Sequence, residues 1–276
     1  MPFLFRLFSC LPLWFLHVSG WVMGWLAYGL SSTYRQRFSE NAQLAGYTAA
    51  QVRGAIGHAG RMVAELPRLW MGASIHHEWD NDAAVDRAYA AGQGIVFLTP
   101  HMGCFEISAQ SAAERYSGRY GPMTVLYRPA RQTWLAKVMA SARNRPGLET
   151  APTNLAGVRQ MIRALRNGRA VGLLPDQVPP EGMGQWAPVF GRKAYTMTLA
   201  ARLVQQTGAT VLVAWAERLS WGQGFCIHVR ELPEPLSSDL DTAVVQINRA
   251  MEQLIRECPQ QYLWGYARYK QPRQEK

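Results

Sequence analysis

Two short apolar runs, each closed by a proline and then a polar residue, restrict this chain more than anything else in it. The first, GIVFLT at Gly94–Thr99, passes into PHMGCFE at Pro100–Glu106, and a helical pattern follows. The second, Ala170–Leu174, passes into Pro175-Asp176-Gln177. Apolar runs of this length bounded by breakers read as buried strands. Further strands are read at Met123–Tyr127, Thr210–Ala216 and Phe225–Arg230, with helices over Gln132–Arg145, Asn154–Asn167, Thr196–Thr207 and Leu240–Glu257. Strands alternating with helices of about a dozen residues predict an α/β fold, a single α/β domain with a mostly parallel central sheet. Open sheets of this kind keep their ligands outside the strand ends. His101, Glu106, Asp176 and Gln177 are therefore the first residues to test for chemistry.

His101 and Glu106 are five positions apart across a turn, with Gly103 between them to let the backbone turn tightly. A carboxylate at that distance can fix one ring nitrogen and leave the other to take a proton from a hydroxyl. The competing reading makes His101 a loop histidine and Glu106 a first-turn residue favoured by the helix dipole. Arg128 follows the strand MTVLY, Arg131 stands three residues on, and Arg143 and Arg145 come near the end of the next helix. Guanidinium groups at strand exits can hold phosphate or carboxylate with paired donors. Asp176 either shapes a polar pocket with Gln177 or anchors one of these arginines.

The amino-terminal third raises a different question. From Leu7 to Leu30 there is no Asp, Glu, Lys or Arg. As one helix the run would rise about 36 Å, enough to cross a bilayer's hydrocarbon, so a membrane-anchoring helix over residues 1–34 is expected ahead of a domain at 35–276. Gly20 and Gly24 form a GxxxG pair, a spacing frequent by chance in such helices. Arg35 and Arg37 after the run favour the body of the protein on the cytoplasmic side. Residues 36–75 read mostly as helix, with Arg53, Arg61 and Arg68 turned either to anionic lipid or to solvent. The net charge of +10 favours an anionic surface, and with no recognition motif for nucleic acid that surface is expected to be a membrane. His76, His77, Glu78 and Asp80 cluster without an HExxH, and adjacent histidines diverge on any regular element, so no metal is expected. The four cysteines include no close pair, which fits reduced thiols facing the cytoplasm.

Taken together, HMGCFE, YRPARQ followed by RNRPG, NLAGVRQMIRALRNGRAVGLLPDQ, VFGRKAYTMTLAARLVQQTGATVL and PQQYLWGYARYK resemble the bacterial lipid A biosynthesis acyltransferase family over almost the full chain. The resemblance implies an enzyme at the cytoplasmic face of the cell inner membrane, beside anionic phospholipids. It would transfer an acyl group from acyl carrier protein, or from coenzyme A, to a hydroxyl of a lipid acceptor, with no cofactor beyond that donor. It also implies His101 as general base with Glu106 as its partner, Arg128 as a holder of an anionic substrate group, and Asp176 as part of a DQ motif with Gln177. Stabilisation of the oxyanion would come from donors near the helix start or from an arginine. Cys104 is read as a space-filling side chain rather than a nucleophile. HMGCFE stands where the family pattern is HxGNWE, and VFG where it is FFG; these departures bear on the acceptor, a lipid A precursor or a related glycolipid or aminolipid.

Two other classes compete. A glycerophospholipid acyltransferase would carry HxxxxD and an EGTR-like phosphate loop, and this chain has Glu at position 106 and no such loop. A non-catalytic lipid-binding membrane protein leaves the His–Glu pair and the separate Asp at strand ends without a purpose.

Overall fold

A computed structural model describes residues 2–127, 139 and 145–274. Nine strands form among them: β1 (His77–Asp80), β2 (Ile95–Leu98), β3 (Met123–Tyr127), β4 (Leu148–Pro152), β5 (Ala170–Leu173), β6 (Gly184–Val189), β7 (Arg192–Met197), β8 (Thr210–Arg218) and β9 (Phe225–Glu231). Seven make one sheet in the order β1-β9-β8-β2-β5-β3-β4, and β6 with β7 make a separate antiparallel hairpin. Within the large sheet only the β8–β9 pair is antiparallel. Every residue of β2 and of β5 is buried, as expected for central parallel strands covered on both faces.

Side chains of a strand alternate between faces, and the two faces of β2 enter separate cores. Val96 and Leu98 pack with α8 (Leu155–Arg166), α9 (Leu199–Thr207) and α10 (Leu240–Glu257), whereas Ile95 and Phe97 pack with α6 (Asp82–Ala90) and α7 (Phe105–Tyr120). The helix starts are specified locally. Asn154 accepts from Gly157 N at 3.2 Å to open α8, and Asp239 accepts from Thr242 N at 2.9 Å to open α10.

The amino-terminal run departs from the expected single anchor. It divides at Cys10–Pro12 into α1 (Pro2–Ser9) and α2 (Leu13–Leu30). Pro12, extended at φ −66° and ψ 146°, supplies no N–H to continue a helix. At about 1.5 Å per residue α2 reaches roughly 27 Å, less than the roughly 30 Å of hydrocarbon, and no helix among the described residues is long and apolar enough to cross a membrane. Two shorter helices follow α3 (Ser32–Leu44): α4 (Gly54–Ala64) and α5 (Leu66–Met71). Helix α2 crosses α4 at glycines. A Cβ on Gly60 would lie 1.9 Å from the Gly20 carbonyl oxygen, and one on Gly24 would lie 2.1 Å from that of Ile56. The GxxxG pair is therefore an intramolecular packing surface.

Three elements were not anticipated. HEWD is an edge strand, β1, paired with β9; LETAP is the other edge, β4; and the segment before α9 is the β6–β7 hairpin, so α9 begins at Leu199 rather than Thr196. The helix expected at Gln132–Arg145 falls almost wholly outside the described residues.

Candidate active site

Sheet register brings the two strand-end motifs together. Leu98 pairs with Leu173 across the parallel β2–β5 ladder, and His101 and Asp176 each lie three residues beyond their member of that pair. Although 75 positions apart in sequence, they meet at Nδ1 and Oδ1 with a separation of 2.7 Å, and the other oxygen, Oδ2, accepts the His101 backbone N–H at 2.8 Å. Both side chains are largely shielded, 17% exposed for His101 and 7% for Asp176. Burial opposes the charge on Asp176, yet the adjacent His101 ring and its two hydrogen bonds hold the carboxyl below its usual range. With an ionised carboxylate on Nδ1, the neutral ring carries its proton there and presents Nε2 as a base. Among the described residues nothing hydrogen-bonds Nε2.

The loop that carries His101 is fixed along its whole length. Met102 N–H donates to Pro100 O, Gly103 N–H to Gln261 O and Cys104 N–H to Ala216 O, while Leu263 N–H donates to His101 O. Gly103 has φ +55°, and a Cβ there would lie 1.9 Å from the Ala216 oxygen, so both conformation and space require glycine. The amides of His101 through Cys104 are all spent inside the protein, which removes them as oxyanion donors and leaves the start of α7 and the arginines after β3. Arg128 and Arg131 lie outside the described residues.

Glu106 is placed differently from expectation. The carboxylate on the His101 ring is Asp176; Glu106, in the first turn of α7, accepts from Trp70 Nε1 at 3.1 Å. It stands on the wall of a cleft that runs between α7 and the sheet, lined by Phe97, Met123, Val125, Leu148, Leu173 and Ile227. Phe105, in the same cleft, has its ring centroid 5.0 Å from that of His101. The His101 ring thus stands beside an apolar slot along which, among the described residues, Glu106 is the one carboxylate. Gln177 follows Asp176, half-buried. Cys104 is 1% exposed, and burial with the nearby Glu65 charge pushes its thiol well up, the opposite of an activated nucleophile.

Sequence reasoning missed Arg218 and Gln261. Arg218, at the end of β8, donates to Glu65 from Nε at 2.8 Å and from a terminal nitrogen at 2.7 Å, and that terminal nitrogen also donates to the Gly103 carbonyl. Gln261 is buried and brackets the Arg218 backbone, accepting its N–H at 2.9 Å and donating to its carbonyl at 3.2 Å. The closing motif gave a signal: Gln261 and Tyr262 sit in PQQYLW, and Tyr262 pairs with Met102.

The sequence model for bacterial lipid A biosynthesis acyltransferases matches residues 4–271. The chain belongs to this family. Among its lipid A acyltransferase relatives is the lipid A biosynthesis palmitoleoyltransferase of Escherichia coli K12, 25% identical over 185 residues, or 67% of this chain and 58% of that protein. The lipid A biosynthesis acyltransferase of Shigella flexneri matches to the same extent. The lipid A biosynthesis lauroyltransferase of E. coli K12 is 26% identical over 185 residues, 66% of this chain and 58% of the relative. The matched stretch therefore spans less than two thirds of the length of each of these lipid A acyltransferases.

Proposed function

We propose that this protein is an acyltransferase that moves an acyl chain from a thioester of acyl carrier protein or coenzyme A to a hydroxyl of a lipid A precursor or related glycolipid or aminolipid. The observation that carries this reading is the 2.7 Å contact between His101 Nδ1 and Asp176, with the His101 ring beside Phe105, a residue that lines an apolar cleft. Nε2 takes the hydroxyl proton as the oxygen attacks the thioester carbonyl. Asp176 holds the ring and offsets the imidazolium charge. Collapse of the tetrahedral intermediate breaks the C–S bond, and the imidazolium returns the proton to the departing sulfur. The donor chain lies in the cleft, Glu106 and Gln177 contact the acceptor, and Arg128 and Arg131 hold its anionic groups. Donors of the palmitoleoyl and lauroyl kinds, for which two relatives are named, are the first to try.

The segment 1–34 serves as the membrane contact, at the cytoplasmic face of the inner membrane. Val18, Val22 and Leu26 are exposed on the side of α2 opposite Gly20 and Gly24, Trp14 is exposed as well, Trp21 is exposed at the flank with its ring against Gly57 of α4, and Arg6 and Arg37 are exposed before and after the helix. An apolar stripe with basic flanks suits a helix lying in the interface of an anionic membrane rather than through it.

Single-turnover transfer from acyl carrier protein thioester to a lipid A precursor tests the chemistry. His101→Ala is expected to lose about 10²–10⁴-fold in rate while keeping its melting temperature. Wild-type-like transfer by folded His101→Ala defeats the mechanism.

A further inference from the structure

A buried ion pair that the proposed chemistry does not use stands directly behind the catalytic loop. The side chains of Arg218 and Glu65 are 0% and 1% exposed. They come from distant parts of the chain, the end of β8 and the junction of α4 with α5, and they meet as a two-pronged pair. Burying both charges is expensive, and a well-packed apolar pair commonly gives equal or greater stability. The terminal nitrogen that binds Glu65 has a second acceptor, the Gly103 carbonyl. Glycine is the residue most able to reorient its peptide planes, and Gly103 lies two positions from His101. Its own N–H and that of Cys104 are held by Gln261 and Ala216, and a donor fixed on its carbonyl adds the restraint on the remaining polar group. On the far side, Glu65 Oε2 lies 3.2 Å from His17 Nε2, and Arg61 Nε donates to the His17 carbonyl at 3.1 Å. The chain of contacts thus runs from α2 through Glu65 and Arg218 to the loop.

We infer that Arg218, held by Glu65, is a positioning residue for acyl transfer: it locks the Gly103 carbonyl so that the His101 ring keeps its line to the acceptor hydroxyl, and through His17 it ties α2 to that lock. This inference rests on the proposed acyl transfer. A merely structural pair and a positioning pair differ in what an apolar replacement restores.

The test uses the full-length protein with Arg218→Lys and with the double variant Arg218→Met/Glu65→Leu. Melting temperature, kcat and KM for the acyl carrier protein thioester, and the His101 titration followed by nitrogen-15 histidine NMR are measured on each. Arg218→Lys keeps the charge but loses the fork, and kcat is expected to fall about 10–100-fold with KM nearly unchanged, the size of effect that a small misplacement of a reacting group produces. The double variant is expected to melt near wild type yet keep the low kcat, with a displaced His101 titration. Recovery of both melting temperature and kcat in the double variant overturns the inference, as does an unchanged His101 titration with unchanged kcat in Arg218→Lys. If the double variant does not fold, Arg218→Lys decides by the same two readouts. A wild-type protein that transfers no acyl group defeats the functional reading instead, and the His101 titration still decides the positioning.

Discussion

An imidazole with a carboxylate on Nδ1 is a base in one direction only, so the roles of the two site carboxylates separate. Asp176→Asn removes the charge that steadies the protonated ring, and kcat is expected to fall by more than 10²-fold. Glu106→Gln, whose side chain meets Trp70 and the cleft rather than the ring, should change kcat less and KM for the acceptor more. Steady-state kinetics of the two variants side by side decides; equal losses of kcat would return Glu106 to the ring. His101 and Asp176 could both be read from the sequence as strand-end polar residues. Their pairing could not, because it depends on β5 lying beside β2, and a separation of 75 positions carries no mark of that neighbourhood. Arg218 was less legible still. Nothing in the local string TVLVAWAER distinguishes an arginine buried against Glu65 from one that ends a strand in solvent.

At the level of elements, strands with apolar runs and helices with a clear 3.6-residue pattern were read correctly: β2, β3, β5, β8 and β9, and α8 and α10. The failures share a cause. β1 and β4 are edges, half wetted, with mixed composition, and the β6–β7 hairpin is held by tertiary contacts such as Arg268 donating to Tyr195 O and Thr196 Oγ1, each at 2.7 Å. For α2 the glycines that looked incidental decide the packing. Gly60→Val would drive side-chain atoms into the Gly20 carbonyl, and a stability loss of about 3 kcal/mol or more is expected from urea unfolding. If α2 lies in the interface as proposed, carbonate at high pH should release the full-length protein from membranes, whereas retention in the pellet would speak for a span.

The whole molecule should weaken in acid in two stages. His58 is held near 3, first by burial and then by the Arg218 and Arg61 charges, partly countered by Glu65. The unfolded chain protonates this histidine near 6.5. Its contribution is therefore complete above that pH and drains away as pH falls towards 3. Glu65 is driven to about 2; burial works against this, and the Arg218 charge with hydrogen bonds from His17 and Arg218 outweighs it. A carboxylate depressed in the fold stabilises above its unfolded value near 4.3, and this second contribution is lost as pH drops through the folded value. Urea midpoints measured from pH 8 to pH 3 should decline first below about 6.5 and again below about 4.3. His58→Gln should abolish the first decline that this residue causes.

The equal spacing from Leu98 to His101 and from Leu173 to Asp176 acts as a common measuring stick for two loops that share only the proline before the polar residue. A one-residue insertion after either strand would slide one partner past the other, and a strand-end turn has no slack to absorb it when Oδ2 already holds the His101 backbone. Grafting this pair onto another parallel sheet would require adjacent strands in the same register and matched three-residue extensions, whatever the loops between them contain.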